Sequence, residues 1–208
     1  MNTQSGRSMV EMLGVLAIIG VLSVGAIAGY SKAMMKYKLN KHAEAVNMLI
    51  NNVLQLKGQL QYTPDTSTAF GTLFKKMNLL PDGIKYISNS YLQDIWFKRQ
   101  ILIFYNNQKF DGGQNNFGGI QFVLGPTAQG KEICRNILFA AKENAANLWQ
   151  VNTIQYTANG SQNVGQAIKG DSYCTQNTKC LHNMTLNDTD AVCDVCSGTY
   201  CNISVLYK

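Results

Sequence analysis

An uninterrupted apolar run near the start of the sequence constrains this chain more than any other feature. Residues 12–29 read MLGVLAIIGVLSVGAIAG, in which Ser23 is the only polar side chain. As a helix the run would be about 27 Å long, close to the thickness of the hydrocarbon layer of a bilayer. A secretory signal peptide would begin with basic residues and have a shorter apolar region. A buried core helix is rarely apolar on all sides over such a length. The run therefore predicts a membrane-spanning helix.

Composition predicts an ordinary globular domain for the rest of the chain. Of its 208 residues, 46% are hydrophobic and only 14% are charged, which excludes an intrinsically disordered protein. A mean hydropathy of -0.10 excludes a protein with several membrane spans. The net charge is +6, yet no dense basic stretch occurs outside residues 32–41. Nucleic acid is therefore not an expected partner.

An acidic residue stands at the edge of the apolar run. A carboxylate at the centre of a bilayer costs on the order of 3 kcal/mol and less near the interface, and such groups usually have an oppositely charged partner. Glu11 lies within the segment GRSMVE at 6–11, and the segment AIIG follows at 17–20. Together these segments resemble the N-terminus of type IV pilins and of the pseudopilins of type II secretion. The resemblance is close over residues 1–30 and general over the remainder.

The resemblance implies a processing site and an assembly residue. In this family a prepilin peptidase removes a short leader that ends in glycine, and the new N-terminus is then methylated. The glutamate at the fifth mature position meets the N-terminal amine of a neighbouring subunit. Carried over, cleavage falls between Gly6 and Arg7, Arg7 is methylated, and Glu11 is the assembly carboxylate. Arg7 departs from the apolar first residue that is usual in the family.

The resemblance also implies partners and a location. The partners are other copies of the chain in a helical filament, the prepilin peptidase and an assembly platform in the inner membrane. The chain would cross the bacterial inner membrane once with its head in the periplasm, and would later enter an extracellular pilus or a periplasmic pseudopilus. Lys32, Lys36, Lys38 and Lys41 follow the run. By the positive-inside rule alone they would place the head in the cytoplasm.

Two features bear on the subgroup. Ala28 occupies the position at which many members of the family have a helix-kinking proline. The absence of this proline makes the sequence more similar to type IVb pilins. The six-residue leader is shorter than type IVb leaders tend to be. A secretion pseudopilin or a minor pilin remains the close alternative. A singly anchored periplasmic binding protein or enzyme that does not polymerise is the more distant one.

Periodicity beyond the run predicts an α+β fold. A single helix is expected over residues 8–61, with an apolar stripe formed by Leu39, Ala43, Val46, Ile50, Val53 and Leu60. The expected divisions are a leader (1–6), a membrane or filament-core helix (7–30), an amphipathic stem helix (31–62) and a globular head (63–208). Strands are predicted at 100–106, 119–124, 151–157 and 202–207. Further helices are predicted at 72–80 and, capped by Thr127, as far as about Gln150. The long helix should pack on a small antiparallel sheet, followed by a disulfide-rich region.

All six cysteines lie in the last third of the chain. They are Cys134, Cys174, Cys180, Cys193, Cys196 and Cys201. Cys174 and Cys180 together with Cys193 and Cys196 could form a four-cysteine zinc site. The irregular spacing and the export implied by the resemblance favour disulfides instead. Six cysteines allow fifteen pairings. The likeness to type IVb pilins implies a bond from Cys134 to Cys193, Cys196 or Cys201, with the other four stapling the polar, loop-like segment 170–200.

No motif predicts catalysis or a cofactor. His42 and His182 lie in no recognisable nucleophile motif, and the sequence has neither a P-loop nor a dinucleotide-binding fingerprint. Asp188, Asp190 and Asp194 lie close together and could bind calcium, but their spacing matches no EF-hand and favours a solvated turn. The sequence thus predicts a structural protein and not an enzyme.

Overall fold

A computed structural model describes residues 9–60, 67–106, 116–125, 129–156, 162–165, 167–196 and 200–208. Within these ranges the helices are α1 (Met9–Leu56), α2 (Gly71–Lys76), α3 (Gly130–Glu143) and α4 (Leu186–Cys193). The strands are β1 (Ser67–Ala69), β2 (Ile84–Tyr86), β3 (Leu92–Asp94), β4 (Gln100–Asn106), β5 (Phe117–Leu124), β6 (Gln150–Tyr156), β7 (Gln162–Val164), β8 (Ile168–Lys169) and β9 (Tyr200–Tyr207). The chain divides into two compact units, Met1–Lys38 and Leu39–Lys208. The predicted α+β class is confirmed.

The described strands form one antiparallel sheet in the second unit. Its main order is β2-β3-β4-β5-β9-β6-β7, while β1 also pairs with β4 and β8 with β6. Strand β9 pairs with β5 from Leu124↔Cys201 to Gly118↔Tyr207 on one side. On its other side it pairs with β6 from Tyr156↔Tyr200 to Gln150↔Leu206. The last strand in sequence order is therefore an interior strand of the sheet, between β5 and β6.

The four strands predicted from periodicity are confirmed, with small shifts at their ends. Strand β4 occupies the predicted range 100–106. Strands β5 and β9 each begin two residues earlier than predicted, and β6 begins one residue earlier. The four three-residue strands and the two-residue β8 were not predicted, because such short segments have no periodicity of their own.

The second half of α1 contributes one wall of the hydrophobic core, as the apolar stripe predicts. Val46, Ile50 and Val53 are buried, and Leu60, just beyond the helix, is buried with them. Ala45 and Leu49, which the predicted stripe omits, are buried as well. These side chains belong to one cluster with α3 and the sheet. The list of that cluster's sheet members includes Ile101, Ile103, Ile120, Phe122, Ile203 and Val205.

Amide side chains fix α1 against α3. Asn47 Nδ2 donates to Glu143 Oε2 over 2.7 Å, and Asn144 Nδ2 donates to Asn47 Oδ1 over 3.2 Å. One end of the contact is held by Asn136 Nδ2, which donates to the carbonyl oxygen of Leu39 over 2.9 Å. These directional bonds add to the apolar contacts between the two helices.

Two predicted helices are shorter than expected. Helix α2 ends at Lys76 and not at residue 80, because Asn78 adopts a left-handed conformation with φ 55° and Leu79 N donates to Phe74 O over 3.0 Å. Helix α3 ends at Glu143, seven residues before the predicted end. There Asn144 Nδ2 donates to Ala140 O, a short 3-10 turn follows, and Trp149 N already donates to Leu206 O of β9. The predicted cap Thr127 lies outside the described residues, and the N-cap position belongs to Gln129.

Candidate functional site

The first unit presents an apolar helical surface. Among the described residues α1 is a helix long and apolar enough to cross a membrane, and its most apolar 18-residue window has a mean hydropathy of 2.4 and no buried residue. Large side chains on it are more than half exposed, as Leu13, Ile18 and Val24 illustrate. Ser23 Oγ donates to Ile19 O over 2.7 Å, so the polar group of the run is satisfied within the helix. Such a surface needs lipid or other apolar helices to cover it.

Glu11 lies in the first turn of this helix and is exposed. Its neighbours Val10 and Met12 are 75% and 52% exposed. A carboxylate in a first turn interacts favourably with the positive end of the helix dipole. The helix thus presents a single acid at the N-terminal end of an apolar surface. The predicted processing residues Gly6 and Arg7 lie outside the described residues.

All six cysteines are paired in disulfides, as predicted. Cys134 of α3 is bonded to Cys193 of α4, which is one of the three partners implied by the family resemblance. The other bonds are Cys174–Cys180 and Cys196–Cys201. The second of these ties the segment after α4 to the start of β9. Because every cysteine sulfur is bonded to another cysteine sulfur, the alternative of thiolate ligands to zinc does not fit this arrangement.

Ion pairs surround the bond between α3 and α4. Lys131 Nζ lies 3.0 Å from Asp190 Oδ2 and also forms a salt bridge with Asp194. Arg135 forms a salt bridge with Asp190. The hydrogen bonds from Lys131 and Arg135 hold the pKa of Asp190 below its ordinary value. The pKa of Lys131 is raised, first by Asp194 and then by Asp190. Electrostatic contacts and a covalent bond therefore join the same two helices.

The segment 170–200 was predicted as a loop, and this is wrong for its middle part. Helix α4 begins with a capping box, in which Asp188 N donates to Thr185 Oγ1 and Thr185 N donates to Asp188 Oδ2 over 3.0 Å. The pattern Thr-x-x-Asp at 185–188 is the sequence signal that could have predicted it. Asp188 also accepts from Lys179, with Nζ and Oδ1 2.8 Å apart, and this bond lowers its pKa.

The three acids considered as calcium ligands thus bond to lysine and arginine. Within the described ranges, no group of three or more histidine, cysteine, aspartate or glutamate side chains is arranged to hold a metal ion.

Sequence reasoning missed a buried polar pair in the second unit, Leu39–Lys208. His42 is 1% exposed and packs edge-on against Trp96 and Phe97, with ring centroids 6.3 Å and 5.5 Å away. Nearby Asp94 is fully buried and accepts from Phe97 N and Arg99 N, each over 2.6 Å. Burial lowers the pKa of His42 to about 4, against the opposing attraction of Asp94. A histidine on the apolar side of a helix is the signal that could have indicated this position.

An aromatic group near the end of β9 was also not predicted. The ring centroid of Trp149 lies 5.6 Å from that of Phe117 and 4.0 Å from Lys208 Nζ. Lys169 Nζ lies 5.3 Å from the same indole. Burial, together with repulsion from Lys169, lowers the pKa of Lys208. The lysines cover the face of an indole that would otherwise be more exposed.

Comparisons of this chain with protein-family models, with curated proteins and with solved structures find no match.

Proposed function

We propose that this chain is the precursor of a structural subunit of a type IV, IVb-like, pilus. The observation that carries the proposal is the combination of Glu11 with an exposed apolar helix and a second compact unit, Leu39–Lys208, that contains the head. Prepilin peptidase removes residues 1–6, the helix holds the subunit in the inner membrane, and the head faces the periplasm. The assembly platform then transfers the helix from lipid into the filament core.

Physical chemistry supports this route. Helices in the filament core would cover the same apolar surface that lipid covers in the membrane, so the transfer needs no new exposure to water. A pair between Glu11 and a neighbouring N-terminal amine gains little net energy, because both charges lose hydration. Its role is to select the register at which an incoming helix stops, while apolar packing supplies the cohesion.

The disulfide-linked region supports an exported location. Three disulfides among six cysteines are typical of an oxidising compartment such as the periplasm. In the cytoplasm the cysteines of the head would be kept reduced. The six-residue leader is the observation that favours a secretion pseudopilin, and such a subunit would use Glu11 in the same way.

Replacing the assembly carboxylate tests the proposal. Glu11→Gln keeps the size of the side chain and removes its charge, and Glu44→Gln is the matched control further along α1. Filaments are counted by electron microscopy of sheared fractions from a host with prepilin peptidase and an assembly platform. We expect Glu11→Gln to reduce filament yield at least tenfold and Glu44→Gln to leave it near the unsubstituted level. Normal yield from Glu11→Gln would contradict the proposal.

Processing is tested separately by the intact mass of protein extracted from the same membranes. Loss of residues 1–6 and a mass increase of one methyl group are expected. Retention of these residues in the presence of active peptidase would favour the non-polymerising periplasmic protein.

A further inference from the structure

We infer that the segment of α1 after the apolar run binds the headgroups of anionic phospholipids, through Lys32, Lys36 and Lys38. The segment lies wholly in the first unit. Lys32 and Lys36 are exposed and Lys38 is half-buried. No aspartate or glutamate occurs between residues 12 and 43. This stretch of helix thus has a concentrated positive charge with no acid of its own.

The spacing along the helix places these lysines at the membrane surface. If residues 12–29 span the hydrocarbon layer, Lys32 lies about 5 Å and Lys38 about 14 Å beyond its edge. The polar headgroup region is roughly 5–8 Å thick on each side. The ammonium groups on their long flexible stems can reach phosphates from all three positions.

Tyrosines support the same placement. Tyr30 and Tyr37 are 67% and 56% exposed, although both are large aromatic side chains. Tyrosine is enriched where a membrane helix meets the headgroups, since its ring is apolar and its hydroxyl group is polar. The tyrosines and lysines of this segment are therefore the residue types expected where a helix crosses the lipid interface.

The arrangement around the helix distinguishes a lipid surface from a protein partner. Lys32 and Lys36 point about 40° apart, but Lys38 points about 160° away from Lys36. A protein would bind one face of the helix and leave the opposite charge in water. Headgroups encircle a helix that crosses the bilayer, so charges on opposite sides all find phosphates. The occupant that fits is a layer of anionic lipid.

This contact would hold the subunit in the membrane before assembly. Each lysine near an anionic surface strengthens binding about fivefold. The lysines would therefore retain the subunit at a fixed depth, and extraction into a filament would have to break these contacts. The inference rests on the membrane-spanning part of the proposed function and does not depend on polymerisation.

Lipid-selective quenching tests the inference on the full chain in vesicles. Since every native cysteine is in a disulfide, Ser31→Cys adds one free thiol next to Lys32 for an uncharged fluorophore. Vesicles contain equal amounts of phosphatidylglycerol and phosphatidylcholine, and either one carries a nitroxide quencher near its headgroup. The ratio of the two quenching efficiencies gives the enrichment of anionic lipid around the helix. Enrichment of at least about threefold is expected in 10 mM salt, falling towards one in 1 M salt because of screening.

Three variants in the same background decide the outcome. Replacing Lys32, Lys36 and Lys38 together by glutamine should abolish the enrichment, whereas replacing them by arginine should preserve it. The matched control replaces three exposed lysines of the head by glutamine, namely Lys76, Lys85 and Lys98. That control should keep the enrichment.

Three outcomes would overturn the inference. The enrichment could persist in the glutamine variant, it could be the same in 10 mM and 1 M salt, or it could disappear equally in the head control. Co-flotation with vesicles after an alkaline wash verifies insertion. If the triple variant does not insert, the single variants Lys32→Gln and Lys36→Gln are measured, and each should show a clear partial loss. Glu11→Gln should retain the enrichment even where it makes no filaments, so failure of the proposed function is recognised separately.

Discussion

At the scale of single residues, His42 makes the stability of the head sensitive to acid. Its pKa is lowered to about 4 by burial, whereas an unfolded histidine titrates near 6.5. As the pH falls from 6.5 towards 4, the unfolded chain takes up a proton that the folded chain does not. The free energy of unfolding should therefore decrease over this window and be unaffected by His42 above it. The loss between pH 7.5 and pH 4.5 should be about 2 kcal/mol.

His42→Leu tests this effect, since leucine has a similar volume and no proton to gain. Urea unfolding of the full chain in detergent is measured at pH 7.5 and at pH 4.5. The variant should be at least as stable as the unsubstituted chain at pH 7.5, because Nδ1 of His42 has no hydrogen-bond partner among the described residues. It should lose about 2 kcal/mol less on acidification. An identical loss in both chains would show that other groups cause the acid sensitivity.

A glycine pair in β5 is required by its neighbour β9. A Cβ on Gly119 would lie 2.6 Å from Leu206 Cδ2 and 2.7 Å from the carbonyl oxygen of Val205. On Gly118 it would lie 2.1 Å from Cζ of Tyr207, whose buried ring crosses the strand at this point. Only glycine leaves room for both contacts.

Gly119→Ala should therefore destabilise the head by about 2 kcal/mol, because a backbone oxygen in a paired strand cannot move aside. Gly58→Ala is the control, as a Cβ there meets no atom within 4 Å. Thermal unfolding followed by circular dichroism compares the two. Equal midpoints for both variants would mean that β5 and β9 separate easily, contrary to the packing described.

At the scale of elements, the disulfide between α3 and α4 should stabilise the head more than the local one. Cys134–Cys193 closes a sequence separation of 59 residues, and Cys174–Cys180 closes one of 6. Loop-closure entropy gives about 4 kcal/mol for the first and about 2 kcal/mol for the second. Replacing each pair by alanine and measuring urea unfolding without reductant tests the order. A larger cost for the Cys174–Cys180 pair would contradict it.

The sequence predicted elements well where a pattern was long, and poorly where contacts decided. Strand β4 has seven residues, four of them β-branched or aromatic, and its bounds were predicted correctly. Strand β2 has three residues, and it exists because Ile84 and Tyr86 pair with β3. Helix α3 ended early because Trp149 is already bonded to β9, a partner more than fifty residues away. No local pattern contains such information.

At the scale of the whole molecule, the unit Leu39–Lys208 should fold without the apolar half of α1. It contains the buried core, whereas the apolar window of α1 has no buried residue. A fragment beginning at Leu39 should be soluble without detergent and retain three disulfides. Its thermal midpoint should lie within about 5 °C of that of the full chain in detergent. Calorimetry and thiol titration test these expectations.

A shorter fragment is the matched control. Starting at residue 63 removes the buried side chains of α1, among them Val46, Leu49 and Ile50. Each loss costs about 2–5 kcal/mol, and together they exceed the stability of an ordinary domain. This fragment should not fold. A folded product would mean that the stem helix is dispensable, against the packing of the core.

The candidate site was predicted where its residues are close together in sequence and missed where they are far apart. The apolar run and its acid are consecutive in sequence, so a pattern of a few residues indicated them. The cysteines indicated disulfides, but spacing alone could not choose the partner of Cys134. The contacts of His42 with Trp96 and Phe97 join distant segments, and only the folded chain brings them together.

The interior position of β9 has a consequence for biosynthesis. Until Tyr200–Tyr207 emerges from the ribosome, β5 and β6 have no strand between them. Each then offers a row of unsatisfied backbone groups, which readily attracts strands of other molecules. A nonsense mutation shortly before Tyr200 would make this state permanent. Such a truncated product would be a substrate for chaperones and proteases, even though the rest of its sequence is unchanged.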